Sequence, residues 1–374
     1  HNHRLNAFGY LNLAELGGEK YRHSANVGLL DLVAVLEWVR DNIARFGGDP
    51  NNVTVFGQSG GGGKVGALMA MPAAKGLFHK AIIQSGSMPH ANVPEDTSRL
   101  AAAFLEELGL SRSQVDKLPD VPLERLTAAV GAAMRKVVRP PSAAQDLRGM
   151  VRSMGWGPTV DGDILPSHPF DPTAPAVSAD VPMLIGTNRD EFVNGVDNLD
   201  AFSLTAAQLE ERLKPRYGER TPTIIAAYRE EYPDAQPFDL LSAISSAPIR
   251  QGAVEQAKRK AALGGASAYL YLFAWHTPML DGRPGAFHSS EITFVFDNAD
   301  RCVNLTGCLP EALDLSTQMS RAWSHFARHG TPGHPGLPDW PAVSEGKLPT
   351  MVFNTRCQVK DDPEGAGCRA IAGP

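Results

Sequence analysis

A chain of 374 residues with 43% hydrophobic and 20% charged residues has a globular composition and the length for a large buried core, which excludes disordered and collagen-like architectures. Its net charge of −6, from 35 basic and 41 acidic residues without a long basic run, speaks against nucleic acid or an anionic membrane as the main partner. Four cysteines exclude a disulfide-built scaffold.

His1-Asn2-His3-Arg4 opens the chain without a Met or a signal peptide, so the sequence reads as starting inside a domain and carries no visible localisation signal. Asn26 to Phe46 has apolar residues at helical spacing (Leu29, Leu32, Val33, Leu36, Val39, Ile43) and stops at Gly47-Gly48. Within it, the apolar run Leu29 to Val39 is broken by Asp31 and Glu37, so no membrane span is written there. Val53 to Phe56 is short, β-branched and apolar, as a buried parallel strand is. Glycines follow to Gly63, and a second helix is predicted from about Lys64 to Met71. Ala81 to Ser85 is another buried strand, closed by Gly86. Amphipathic helices follow at Leu100 to Leu108 and Leu123 to Val138, then a strand at Pro182 to Gly186 and helices from about Leu204 to Leu263. Ser267 to Trp275 alternates Tyr269, Tyr271 and Phe273 as a strand does, and Trp323 to Ala327 lies in a late helix. After His329 the Pro- and Gly-rich sequence predicts loop to the end. Helices alternating with short buried strands give an α/β class with a mostly parallel sheet. A single domain over 1–374 is expected, with helical insertions at about 92–150 and 204–263.

Gly57-Gln58-Ser59-Gly60-Gly61 is a G-x-S-x-G sequence between a predicted strand and a predicted helix. That setting is the nucleophile elbow. A serine on a sharp turn projects at the carboxyl edge of the sheet, and the N–H of the next residue, Gly60, points where an oxyanion would form. The competing phosphate-loop pattern G-x-x-x-x-G-K-[ST], counted back from Lys64, requires Gly where Gln58 stands and Ser or Thr where Val65 stands, and fails at both.

A nucleophilic serine needs a base, and the base an acid, in the chain order Ser, Asp/Glu, His. Of eleven histidines, five come too early or sit beside the elbow helix. His168 lies in a proline turn, and three others fall in the late helix and loop. His276 and His288 remain, both after the strand ending near Trp275, and spacing does not choose between them.

Several blocks resemble the type-B carboxylesterase and cholinesterase-like family of α/β-hydrolases, in particular its bacterial para-nitrobenzyl-esterase-like branch. Asn2-His3-Arg4-Leu5 with Phe8-Gly9-Tyr10-Leu11 is similar to a strand of that family. Asn26 to Asp31 with Trp38-Val39, Phe46 to Ser59, and Gln84-Ser85-Gly86-Ser87 resemble further family blocks. So do Gly186 to Glu191, similar to G-T-N-x-D-E, and Phe287 to Ile292 with Phe294-Val295-Phe296. The resemblance implies an α/β-hydrolase fold whose helical insertions form the walls of a substrate gorge. It also implies ester hydrolysis on small-molecule substrates, with Ser59 as nucleophile, His288 as base and Glu191 as the acid that orients it. Ser85 is implied as a hydroxyl near that acid.

Three departures stand out. Gln58 replaces the Glu found beside the nucleophile in many members, removing a charge that stabilises imidazolium. Phe192 replaces a Gly after the acid. The upstream H-G-G-G segment, which the resemblance assigns to the oxyanion hole, is not within these residues, so Gly60 alone is expected to donate, and loss of one such donor costs about 10²–10³ in rate. Trp156, Phe192 and Phe287 are expected pocket residues beside a default role in packing. No metal-ligand spacing occurs, and no cofactor is expected. A silent binding module of the same architecture, and a carbamate or aromatic-diester hydrolase using the same residues, remain as alternatives.

Overall fold

A computed structural model describes residues 1–138, 155–193 and 202–373. The chain divides into two compact units, one of His1–Asn51, Gly66–Phe78 and Met88–Ser178, the other of Asn52–Val65, His79–Ser87 and Ala179–Pro374. The expected insertion at about 92–150 runs into residues 139–154, which lie outside the described residues.

In the first unit, helices α1 (Asn6–Tyr10) and α2 (Val27–Asn42) precede the elbow in sequence. The segment expected to form a strand near the N-terminus is instead the short helix α1. A strand leaves its backbone groups to a neighbouring strand, whereas a helical turn satisfies them within the segment, as the Gly9 N–H does with Leu5 O at 3.1 Å. Later in the same unit, Leu100, Ala101, Phe104 and Leu105 of Pro94–Glu107 meet Ala129 and Ala133 of Leu123–Val137 in an apolar cluster.

The second unit holds a six-stranded sheet. Its strands are β1 (Thr54–Gln58), β2 (Lys80–Gln84), β3 (Met183–Asn188), β4 (Ala268–Phe273), β5 (Pro349–Phe353) and β6 (Gln358–Asp361), side by side in that order. The first five are parallel and β6 runs antiparallel to β5. β2, β3 and β4 are buried along their whole length, which is why their sequences are apolar runs rather than alternating ones. Two predictions are corrected here. The stretch after His329 is not loop throughout, because it supplies β5, β6 and the helix Gly365–Ala372. β5 opens on Pro349, and β6 is a half-exposed Gln-Val-Lys-Asp, so neither carries a strong apolar pattern. The helix after the elbow, α3 (Gly60–Ala70), starts four residues earlier than predicted, on glycines that are poor helix formers.

The core of this unit is aromatic. Tyr271, Phe273 and Phe353 of the sheet, together with Phe294, Trp323 of the helix Pro310–His329 and Trp340, form one buried cluster. The candidate residues emerge at or after the carboxyl ends of β1, β3 and β4.

Candidate active site

β1 ends at Gln58, and Ser59 follows with φ +55, a left-handed conformation that costs a non-glycine residue energy. The turn is held from both sides: the Ser59 N–H donates to Gln84 O at 2.8 Å, and the Gly63 N–H donates to Ser59 O at 3.0 Å. Glycine is required around it. A Cβ on Gly57 would lie 2.4 Å from the Gly61 carbonyl carbon, and one on Gly86 would lie 2.3 Å from Ser59 O. Strand, elbow and helix therefore approach more closely than any side chain permits. Gly60 begins α3, and the Lys64 ammonium donates back to Gly60 O at 3.2 Å.

Glu191 stands three residues beyond the end of β3 and is buried. Its Oε2 accepts from His288 Nδ1 at 2.5 Å, while its Oε1 accepts from the Asn188 backbone N–H at 2.9 Å. On the other side of the ring, Gln58 Nε2 lies 3.2 Å from His288 Nε2. A carboxylate accepts and an amide NH₂ donates, so the imidazole carries its proton on Nδ1 and presents a lone pair at Nε2. That is the tautomer of a base. The hydrogen bond to Glu191 and that group's charge raise the pKa of His288 above the ordinary 6.5, against an opposing effect of burial.

His276, the other candidate base, is placed elsewhere. Its Nε2 pairs with the Arg189 guanidinium and lies 3.7 Å from Asp190 Oδ2. Burial and the Arg189 charge push its pKa down. Arg189 and Asp190 themselves form an ion pair at 3.0 Å, and Asp190 Oδ2 accepts from the Ala286 N–H at 2.8 Å, fixing the chain just before His288.

Behind Glu191 lies a second carboxyl group that sequence reasoning missed. Glu291 is fully buried (0% exposed) and accepts from Gln84 Nε2 at 3.1 Å and from Asn188 Nδ2 at 2.8 Å. Gln84 is fixed in turn by Trp323 Nε1, which donates to its Oε1 at 3.0 Å. Burial, with the Glu191 charge second, lifts the Glu291 pKa to about 7, and the amides of Asn188 and Gln84 act against that rise. One hint was legible beforehand: Gln84 is a polar residue closing the buried apolar run Ala81-Ile82-Ile83.

The remaining candidates are scattered. Ser85 is buried with φ +49, and its hydroxyl has no hydrogen-bond partner among the described residues. Phe192 is 43% exposed, with its N–H donating to Ser246 Oγ at 3.1 Å. Phe287 forms an isolated bridge with Asp190 and gives its carbonyl to Asn188. Trp156 belongs to the first unit, edge-on to Phe104 in that unit's apolar cluster. All four cysteines are free thiols. Among the described residues no His, Cys, Asp or Glu cluster suits a metal, and no helix is long and apolar enough to cross a membrane.

Known proteins resemble this chain over nearly its whole length. The model of the Carboxylesterase family matches residues 1–371. The para-nitrobenzyl esterase of Bacillus subtilis (strain 168) is 35% identical over 368 residues, covering 97% of this chain and 70% of that enzyme. Among solved structures, an esterase from the anaerobe Clostridium hathewayi, described as able to hydrolyse aliphatic aromatic polyesters, superposes with a TM-score of 0.81 at 35% identity, over 99% of this chain and 71% of that one. A carboxylesterase of Geobacillus stearothermophilus superposes with a TM-score of 0.79 at 32% identity, over 99% and 74%. With its parallel sheet, its elbow after β1 and a match over nearly its whole length, this chain belongs to the carboxylesterase family, an α/β-hydrolase family of carboxylic ester hydrolases.

Proposed function

We propose that this chain hydrolyses small-molecule carboxylic esters through an acyl-enzyme, with Ser59 as nucleophile, His288 as general base and acid, and Glu191 as the group that orients the imidazole. One observation carries the assignment of roles. His288 has its Nδ1 proton tied to a buried carboxylate and its Nε2 lone pair one residue from a serine on a strained turn. In the reaction Ser59 Oγ bonds to the ester carbonyl carbon and its proton passes to Nε2, where it displaces the Gln58 amide. The carbonyl oxygen becomes an oxyanion facing the Gly60 N–H. The C–O bond of the ester then breaks and His288 returns the proton to the departing alcohol. Water repeats the sequence on the acyl group and regenerates Ser59. The Glu191 carboxylate stabilises the imidazolium formed in each half.

The test is turnover of short para-nitrophenyl esters. Ser59→Ala and His288→Ala should each reduce it to a common residual level, because members of such a triad act as a unit. His276→Ala, altering only the Arg189–Asp190 pair, should retain most of it. Loss with His276→Ala and retention with His288→Ala would reverse the assignment.

A further inference from the structure

The triad hydrogen bond joins two loops, one leaving β3 and one leaving β4, and the buried Asn188 bonds to both. Asn188 is the last residue of β3, paired in register with Phe273, the last of β4. Its backbone N–H donates to Glu191 Oε1 at 2.9 Å. Its side-chain NH₂ has two hydrogens, and both are used on the other loop: Nδ2 is 2.6 Å from the carbonyl oxygen of Phe287 and 2.8 Å from Glu291 Oε2. Those acceptors lie one residue before His288 and three residues after it. Asn188 therefore holds the acid with its main chain and brackets the base with its side chain.

We infer that Asn188 is a positioning residue that sets the Glu191–His288 contact, with Glu291 as its fixed counter-anchor. The inference rests on the roles proposed above for Ser59, His288 and Glu191.

Three features support it. First, Asn188 is 1% exposed and its Oδ1 has no partner among the described residues. An unsatisfied buried acceptor of this kind destabilises the fold, so packing alone does not account for an amide here, whereas two directed N–H donors do. Second, the anchor is rigid. Glu291 is held by Gln84 on β2, and Gln84 by Trp323, whose ring stacks edge-on against Tyr271 of β4 with centroids 5.1 Å apart. Three strands thus contribute to one chain of contacts ending at the base. Third, the orientation of the amide is unambiguous, because reversing it would set an oxygen against both the Phe287 carbonyl and the Glu291 carboxyl group.

Two variants test this. Asn188→Asp keeps the shape and the backbone donor but turns both side-chain contacts repulsive, and Asn188→Ala removes them. Each should lower kcat for para-nitrophenyl esters by about 10- to 10²-fold, with KM changed less than about threefold, since a misplaced pair impairs the chemical step rather than substrate binding. In Asn188→Ala the acidic limb of kcat/KM should also move to lower pH, whereas in Asn188→Asp the added carboxylate opposes that shift. His288 faces two acids, Glu191 and Glu291, and Glu191 raises its pKa chiefly through the hydrogen bond that Asn188 aligns. A role in core packing alone would lower thermal stability and leave that limb in place. A wild-type kcat in either folded variant, or a wild-type limb in folded Asn188→Ala, would overturn the inference. Should both variants fail to fold, Glu291→Ala serves: it must lower the pH-independent kcat as Asn188→Ala is expected to, and a wild-type kcat there would overturn the inference as well. Failure of the triad reading looks different, since Ser59→Ala would then keep its turnover whatever Asn188 does.

Discussion

At the scale of single residues, the site turns on the proton of His288. Glu191 holds it at Nδ1, and Gln58, a neutral amide, faces Nε2. A carboxylate in the place of that amide would instead favour a proton on Nε2 and so stabilise imidazolium in the resting enzyme. Gln58→Glu should therefore raise the pKa of His288 further, and the acidic limb of kcat/KM for a neutral ester should move up by about one pH unit or more. Near neutral pH the variant would then be slower, because more of the base is already protonated. A limb that stays in place would show that position 58 does not face the base during turnover. The choice between His276 and His288 also belongs here. Both follow β4 in sequence, and only side-chain partners separate them: Arg189 and Asp190 for one, Glu191 for the other.

At the scale of elements, the elbow is a close packing of β1, α3 and the turn after β2. Gly86 has the Ser59 carbonyl oxygen and the Gly62 Cα within 2.5 Å of where a Cβ would stand, and these are backbone atoms that move only if the elbow moves. Gly86→Ala should cost about 1–3 kcal/mol in urea unfolding and lower turnover with it, since Ser59 must shift. Unchanged values of both would show that the elbow has slack. β1 to β4 were legible because buried parallel strands are short apolar runs, and the elbow because its glycines sit between a strand and a helix. β5 and β6 were not, for each lacks a sustained apolar period. The N-terminal segment was misread because Leu5, Phe8, Tyr10 and Leu11 suit a strand or a helix, and only tertiary partners decide between them. Glu191 and His288 were singled out through resemblance of short blocks, not through periodicity. Asn188 and Glu291 stayed hidden within those same blocks. Gln84 and Glu291 lie 207 positions apart, and nothing local in the sequence pairs them.

At the scale of the whole molecule, two buried acids give stability a pH dependence of definite sign. Burial raises both Glu291 and Glu364 from the ordinary 4.5 to about 7. The folded state then keeps protons that the unfolded chain releases. This contribution is complete below about 4.5 and is lost as pH rises through about 7, by about 3 kcal/mol for each group. Urea unfolding should therefore show lower stability at pH 8 than at pH 5, and Glu291→Gln or Glu364→Gln should each flatten that difference. Stability that rises over this range and is indifferent to both substitutions would contradict the burial of these groups. The central claim concerns the serine, and the most direct measurement is the site of covalent modification by a fluorophosphonate, located by peptide mass spectrometry. The account predicts modification at Ser59, abolished in Ser59→Ala and strongly slowed in His288→Ala. Modification at another residue, or ester hydrolysis that persists while Ser59 stays unmodified, would contradict it.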